Sequence, residues 1–171
     1  MATDEGEFRD FVDREYAALV RALSLYCGGR EVAEELAQDA FARAYQRWNK
    51  VSQMQRPGAW VRTVAFNLAR SGFRRKGAER RAYARHGAAP TATQSAEQAE
   101  AMAVRDAVLE LPDRQRQVLI HRYFLGDSVA ETADTVGISD NAVKSATFKA
   151  IENLRRRLGD VTAIEEGSHH A

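Results

Sequence analysis

The sequence predicts an all-α protein of two small helical domains joined by a flexible linker. Apolar residues recur every three or four positions along most of the chain, and no segment alternates as a half-buried strand does. Around residues 87–100 the periodicity stops and small polar residues take over. With 171 residues, the chain suffices for one ordinary domain or two of about 80 residues each.

The first helix is predicted over about Glu5 to Leu25, because Phe8, Phe11, Val12, Tyr16, Leu19, Val20 and Leu23 share one face. Gly28-Gly29 ends it. A second stripe follows: Val32, Leu36, Ala40, Phe41, Ala44, Tyr45 and Trp48. Its polar side carries Glu34, Glu35, Gln38 and Asp39, then Arg43 and Arg47. Asn49 to Gly58 reads as a polar break, with Pro57 suited to a first helical position. Trp60, Val61, Val64, Ala65, Leu68 and Ala69 mark a third helix that runs on into Arg70, Arg74, Arg75 and Lys76.

After the linker, Val104, Val108, Leu109 and Leu111 form a short helix that stops before Pro112. The next helix runs through Val118, Leu119, Tyr123 and Phe124 to Gly126. Ser128 and Glu131 fit a capping box opening a short helix with Val129, Ala133 and Val136 inward. Gly137-Ile138-Ser139 makes a tight turn in which Ile138 plugs the core. Ser139 can cap a last helix carrying Val143, Ala146, Thr147, Ala150, Ile151, Leu154 and Leu158. The domains are expected at 5–86 and 101–160, with the linker at 87–100 and a disordered tail at 161–171.

Charge separates the two halves. The net formal charge is only +1, but residues 43–86 hold twelve basic side chains and a single acid, Glu79. That block reads as a footprint for a polyanion. Arg62, Arg70, Arg74, Arg75 and Asn67, interleaved with Trp60, Phe66, Phe73 and nearby Trp48, suit single-stranded nucleic acid: guanidiniums track phosphates while rings and pockets hold unstacked bases. Trp60 and Phe73 sit on apolar helical spacing and read as core.

Residues 128–157 have a short capped helix, a glycine turn and a longer helix, which is the helix-turn-helix pattern. The start of the second helix enters the major groove in that motif. Asp140, Asn141, Lys144, Ser145 and Phe148 are therefore candidates for base edges, and Lys149, Arg155, Arg156 and Arg157 for phosphates.

Several classes are excluded. A hydrophobic share of 44% argues against a disordered chain, and no run approaches the roughly 18 apolar residues of a membrane span. Met1–Glu7 is acidic and lacks a signal-peptide pattern. Cys27, the sole cysteine, permits no internal disulfide. A cytoplasmic protein without a membrane partner is expected. Neither Cys27 nor His169-His170 belongs to a ligand cluster, so no metal or cofactor is expected. The basic half lacks paired carboxylates, so an enzyme is not expected either.

Four motifs in order then carry a family resemblance. Val32–Tyr45 (VAEELAQDAFARAY) resembles the region 2.1–2.2 signature of extracytoplasmic-function (group 4, sigma-70 family) sigma factors. Pro57–Asn67 (PGAWVRTVAFN) looks like their region 2.3–2.4 helix. Leu111–Leu119 (LPDRQRQVL) resembles the opening of region 4, and Gly137–Ser145 its turn and recognition helix. The resemblance implies a factor that binds core RNA polymerase, directs it to promoters and helps open them. It implies docking of Glu34, Glu35, Gln38, Asp39 and Arg43 on the β′ clamp helices, with region 4 on the β flap. The loop Trp48–Arg56 would hold a flipped −10 base, with Val51 and Ser52 at the pocket and Asn67 beneath, and the −10 set also takes in Trp48, Arg62, Arg70, Arg74 and Arg75. The −35 duplex would meet Ser139, Asp140, Asn141, Lys144, Ser145, Phe148 and Lys149. An anti-sigma protein is a further possible partner. Ala146 stands where many members have arginine, and Ala142 where threonine is common. The competing expectation is a stand-alone helix-turn-helix regulator with an N-terminal sensing or dimerisation domain. It gives no use to the basic block or to the polar face at 34–43.

Overall fold

The computed structural model describes residues 4–83 and 95–167, with side chains described through 72 in the first segment and 159 in the second. Every regular element among them is helical. The chain forms two compact units, the first built on residues up to Glu79 and the second chiefly on those after it.

In the first unit, α1 (Asp4–Cys27) opens with Asp4, Glu5 and Glu7, acids suited to the positive end of the helix dipole. It buries Phe11, Leu19, Val20, Leu23 and Tyr26. α2 (Arg30–Tyr45) packs against it through Ala33, Ala37, Ala40, Phe41 and Ala44. The core stripe of α2 is thus mostly alanine. Val32 and Leu36, expected in that stripe, are half-buried, and Tyr45 is exposed. The physical reason is distance: helices approach closely only where facing side chains are small.

The expected polar break contains a helix of one turn, α3 (Trp48–Val51), whose two apolar ends are both buried. α4 (Pro57–Tyr83) does begin at the proline, and it buries Val61, Ala65, Phe66 and Ala69. Gly58 lies close to α1: a β-carbon there would stand 2.7 Å from a carboxylate oxygen of Glu15, which a side chain in its place would push aside. That carboxylate stands 3.5 Å from the Arg62 guanidinium, and the Tyr26 and Phe66 rings meet at 5.2 Å.

In the second unit, α5 (Ala96–Leu109) starts inside the stretch expected to be linker. Its start is fixed by a capping box: the Gln98 amide N–H donates to Ser95 Oγ at 3.3 Å, and the Ser95 N–H donates to Gln98 Oε1 at 3.2 Å. Residues 84–94, including most of the expected linker, lie outside the described residues. α6 (Asp113–Leu119) follows Pro112. Arg116 on it donates to the carbonyls of Leu109 and Leu111 at 2.6 and 3.0 Å, tying down the end of α5.

The expected continuation of α6 to Gly126 is instead a π-turn over Ile120–Phe124. The Leu125 N–H reaches back to the Ile120 carbonyl at 2.9 Å, one residue further than in an α-helix. Gly126 then takes φ +74°, which swings Asp127 back beneath His121. The Asp127 N–H donates to the His121 carbonyl at 2.9 Å, and His121 Nδ1 meets Asp127 Oδ2 at 2.9 Å with both side chains buried. The pair gives each of these two buried side chains a polar partner inside the reversal.

α7 (Val129–Val136) begins at the expected box: the Glu131 N–H donates to Ser128 Oγ at 3.1 Å and the Ser128 N–H to Glu131 Oε2 at 2.7 Å. α8 (Asp140–Gly167) is tied to α6 by the Asn153 amide on Gln115 Oε1 at 2.7 Å. α8 corrects the expectation of a disordered tail from residue 161, because the helix continues to Gly167. Residues 168–171, including His169 and His170, lie outside the described residues.

Replacing Gly126 with alanine forces a side chain into the left-handed region. We expect a loss of about 1–2 kcal/mol, seen as a lower midpoint in thermal unfolding.

Candidate nucleic-acid interface

The turn between α7 and α8 is built from a positive-φ glycine, Gly137 at +74°, and a capping serine. Ser139 Oγ accepts from the Ala142 N–H at 3.2 Å, so this hydroxyl is used in starting α8. Val143, Ala146 and Ala150 then face the interior. Ile138, expected to plug the core, is only half-buried. On the other side of the helix Asp140, Asn141, Lys144, Ser145, Phe148 and Lys149 are all exposed. Phe148 is 68% exposed. The period of 3.6 brings residues 141, 144, 145 and 148 onto one face.

The first unit holds the other expected groups. Glu35, Gln38, Asp39 and Arg43 are exposed along α2. Glu34 differs, because its carboxylate accepts from the Arg30 guanidinium at 2.7 Å. That hydrogen bond, with the charge attraction behind it, raises the Arg30 pKa above its ordinary value. Asp39 and Arg43 also border a concavity of about 500 Å³ between α2 and α4, walled by Trp60, Val64, Gln46 and Arg47. Trp60, expected as core, is half-buried in that wall.

On α4, Asn67 is exposed and Arg70 half-buried. Arg62 is mostly covered and turned toward Glu15. Arg74 and Arg75 lie farther along the helix, where side chains are outside the described residues.

Two expected base-holding residues need correction. Trp48 is 8% exposed and Val51 1% exposed. The Trp48 ring sits 5.0 Å from Phe11 and 5.1 Å from Phe8, inside an aromatic cluster. Both side chains anchor the segment from beneath and present no face to a base. The outward residues are Ser52, half-buried, and the exposed Gln53, Met54, Gln55 and Arg56. The sequence reading missed the depth of this anchor. The spacing of Trp48 and Val51, three apart, is the signal for a single buried turn.

Comparison with known proteins decides the family. The profile described as Sigma-70 region 2 matches residues 11–79, and that described as Sigma-70, region 4 matches residues 101–154. The chain belongs to the sigma-70 family, in its extracytoplasmic-function group. RNA polymerase sigma-E factor of Streptomyces coelicolor is 28% identical over 152 residues, covering 89% of this chain and 86% of that one. The ECF RNA polymerase sigma factor SigM of Mycobacterium tuberculosis is 28% identical, with 93% and 81% covered. Among solved structures, the sigma factor RpoE of Bartonella quintana shares the fold at a TM-score of 0.72 and 21% identity, covering 90% of this chain and 97% of that one.

This sigma factor is a transcription initiation factor that binds core RNA polymerase and directs it to promoters. The region 2 match over α1 to α4 sets aside the stand-alone regulator. Among the described residues, no helix of this sigma factor is long and apolar enough to cross a membrane.

The anchoring role of Trp48 has a measurable consequence. Trp48→Ala is expected to cost about 3–5 kcal/mol in chemical denaturation. Ser52→Ala, on the outward side of the same segment, should stay within about 0.5 kcal/mol of the parent.

Proposed function

We propose that the two units divide the promoter between them. The second unit reads the −35 element as duplex with the outer face of α8. The first unit docks on polymerase through α2 and meets the −10 element with α4 and residues 52–56. The observation that carries this reading is the face of α8: Asn141, Lys144, Ser145 and Phe148 stand exposed together while Val143, Ala146 and Ala150 hold the helix from behind. Amide, ammonium and hydroxyl groups match base-edge donors and acceptors in the major groove, and a phenyl ring matches a thymine methyl. Lys149 lies where a phosphate would pass.

On α2 the exposed Glu35, Gln38, Asp39 and Arg43 suit a helical partner of mixed charge, and the β′ clamp helices are that partner in this reading. Glu34 contributes less, being engaged by Arg30. The second unit would rest on the β flap. Around the −10 element, Asn67 and Arg70 line the strand that opens. A flipped base costs a few kcal/mol to unstack, and the basic block offsets that cost through its attraction for the backbone. The factor itself supplies no catalysis, and a cytoplasmic location follows from its polymerase partner. The solved RpoE and CnrH structures are complexes, with the anti-sigma factor NepR and with the cytosolic domain of CnrY. They support an anti-sigma protein as a further class of partner.

The test is holoenzyme reconstituted from the purified chain and core polymerase. Asp39→Arg should weaken core affinity by more than about tenfold. Asn141→Ala should cost about 1–3 kcal/mol at one −35 base pair, while Lys149→Ala should weaken all sequences alike and lower the salt slope by about one. Unchanged core binding by Asp39→Arg, or unchanged −35 preference with Asn141→Ala, would overturn the assignment of the corresponding face.

A further inference from the structure

The segment after α3, residues 52–56, is secured at its base. α3 has only four residues, and one turn cannot hold its own shape in water. Its place is set by the burial of Trp48 and Val51. The buried indole N–H of Trp48 has no hydrogen-bond partner among the described residues, so ring packing fixes its orientation. Two phenyl rings do this. Phe11, at 5.0 Å, is part of the interior. Phe8, at 5.1 Å and edge-on with an interplanar angle of 76°, is half-buried at the rim. Phe8 also lies 5.0 Å from Tyr45, the last residue of α2. One side chain therefore spans the joint from α2 into α3, with Gln46 and Arg47 turning the chain between them. Phe8 precedes the span matched to region 2, which begins at residue 11.

We propose that Phe8 is a positioning residue for −10 recognition: by packing on Trp48 and Tyr45 it sets where residues 52–56 stand against the opened strand. The proposal rests on the reading of residues 52–56 as a −10 contact. Without the Phe8 ring, Trp48 loses its outer neighbour while Phe11, Phe41 and the α1–α2 core stay in place. Selectivity at −10 is then lost before core binding or −35 reading.

The experiment is selection by reconstituted holoenzyme from a duplex library randomised at both elements, using the parent chain, Phe8→Ala, Phe8→Leu and Ser52→Arg. Phe8→Ala should lower preference for the favoured −10 base by roughly three- to tenfold, the range set by the loss of one aromatic contact, that with Trp48. Preference at −35 and core affinity should be unchanged, and Phe8→Leu should recover part of the loss. If Ser52→Arg alters −10 preference and Phe8→Ala does not, the proposal is overturned and the reading of residues 52–56 stands. If neither alters it, that reading falls and the proposal with it. Equal losses at −10, −35 and core binding in both Phe8 variants would also overturn it, because they would report a damaged fold.

Discussion

Close approach of helices through alanine is the constraint on which the rest of this structure depends. Ala33, Ala37, Ala40 and Ala44 are fully buried along α2, with Ala22 on α1, and Ala133, Ala146 and Ala150 play the same part in the second unit. Small side chains bring backbones together and gain dispersion contacts over long stretches. Five rings of the first unit, Phe11, Tyr26, Phe41, Trp48 and Phe66, are buried beside these stripes, whereas Phe8, Tyr45, Tyr123, Phe124 and Phe148 sit at rims or on the surface. The chain thus presents aromatic groups next to its charged faces, where partners can cover them.

The same economy explains how the binding faces stay distinct. An alanine stripe is narrow, so most of the circumference of α2 and α8 is left to polar residues. On α8 that circumference meets DNA in our reading, and on α2 it meets polymerase. Arg62 shows the opposite use of charge: it turns toward Glu15 of α1. A basic residue inside a basic block is therefore not automatically a phosphate contact.

Much of this was legible in the sequence. The caps at Ser128 and Ser139, the stop after α1 and the start of α4 at Pro57 follow from local chemistry that neighbouring residues alone determine. The outer face of α8 was legible because a sustained helical period separates its two sides. Trp48 fell in the apolar stripe, but its partners Phe8 and Phe11 lie some forty residues away and were not legible, and neither was the burial of Val51. Ala40 and Ala44 were read in the α2 stripe, but Ala33 and Ala37 escaped because the larger Val32 and Leu36 outweigh alanine in hydrophobicity while close packing selects for size. The π-turn escaped because Ile120–Phe124 has no local signal against an α-helix. Its cause is the pairing of His121 with Asp127 across the reversal.

That π-turn also fixes the phase of everything after it. Each residue advances a helix by about 100°, so one residue more or fewer between α6 and Gly126 would rotate the exit of the chain by nearly a third of a turn. Asp127 would leave His121, and the capped start of α7 would point elsewhere. Side chains in this stretch can be exchanged at less cost than its length can be changed. Insertions and deletions should therefore collect in other connections and leave this one with a constant residue count.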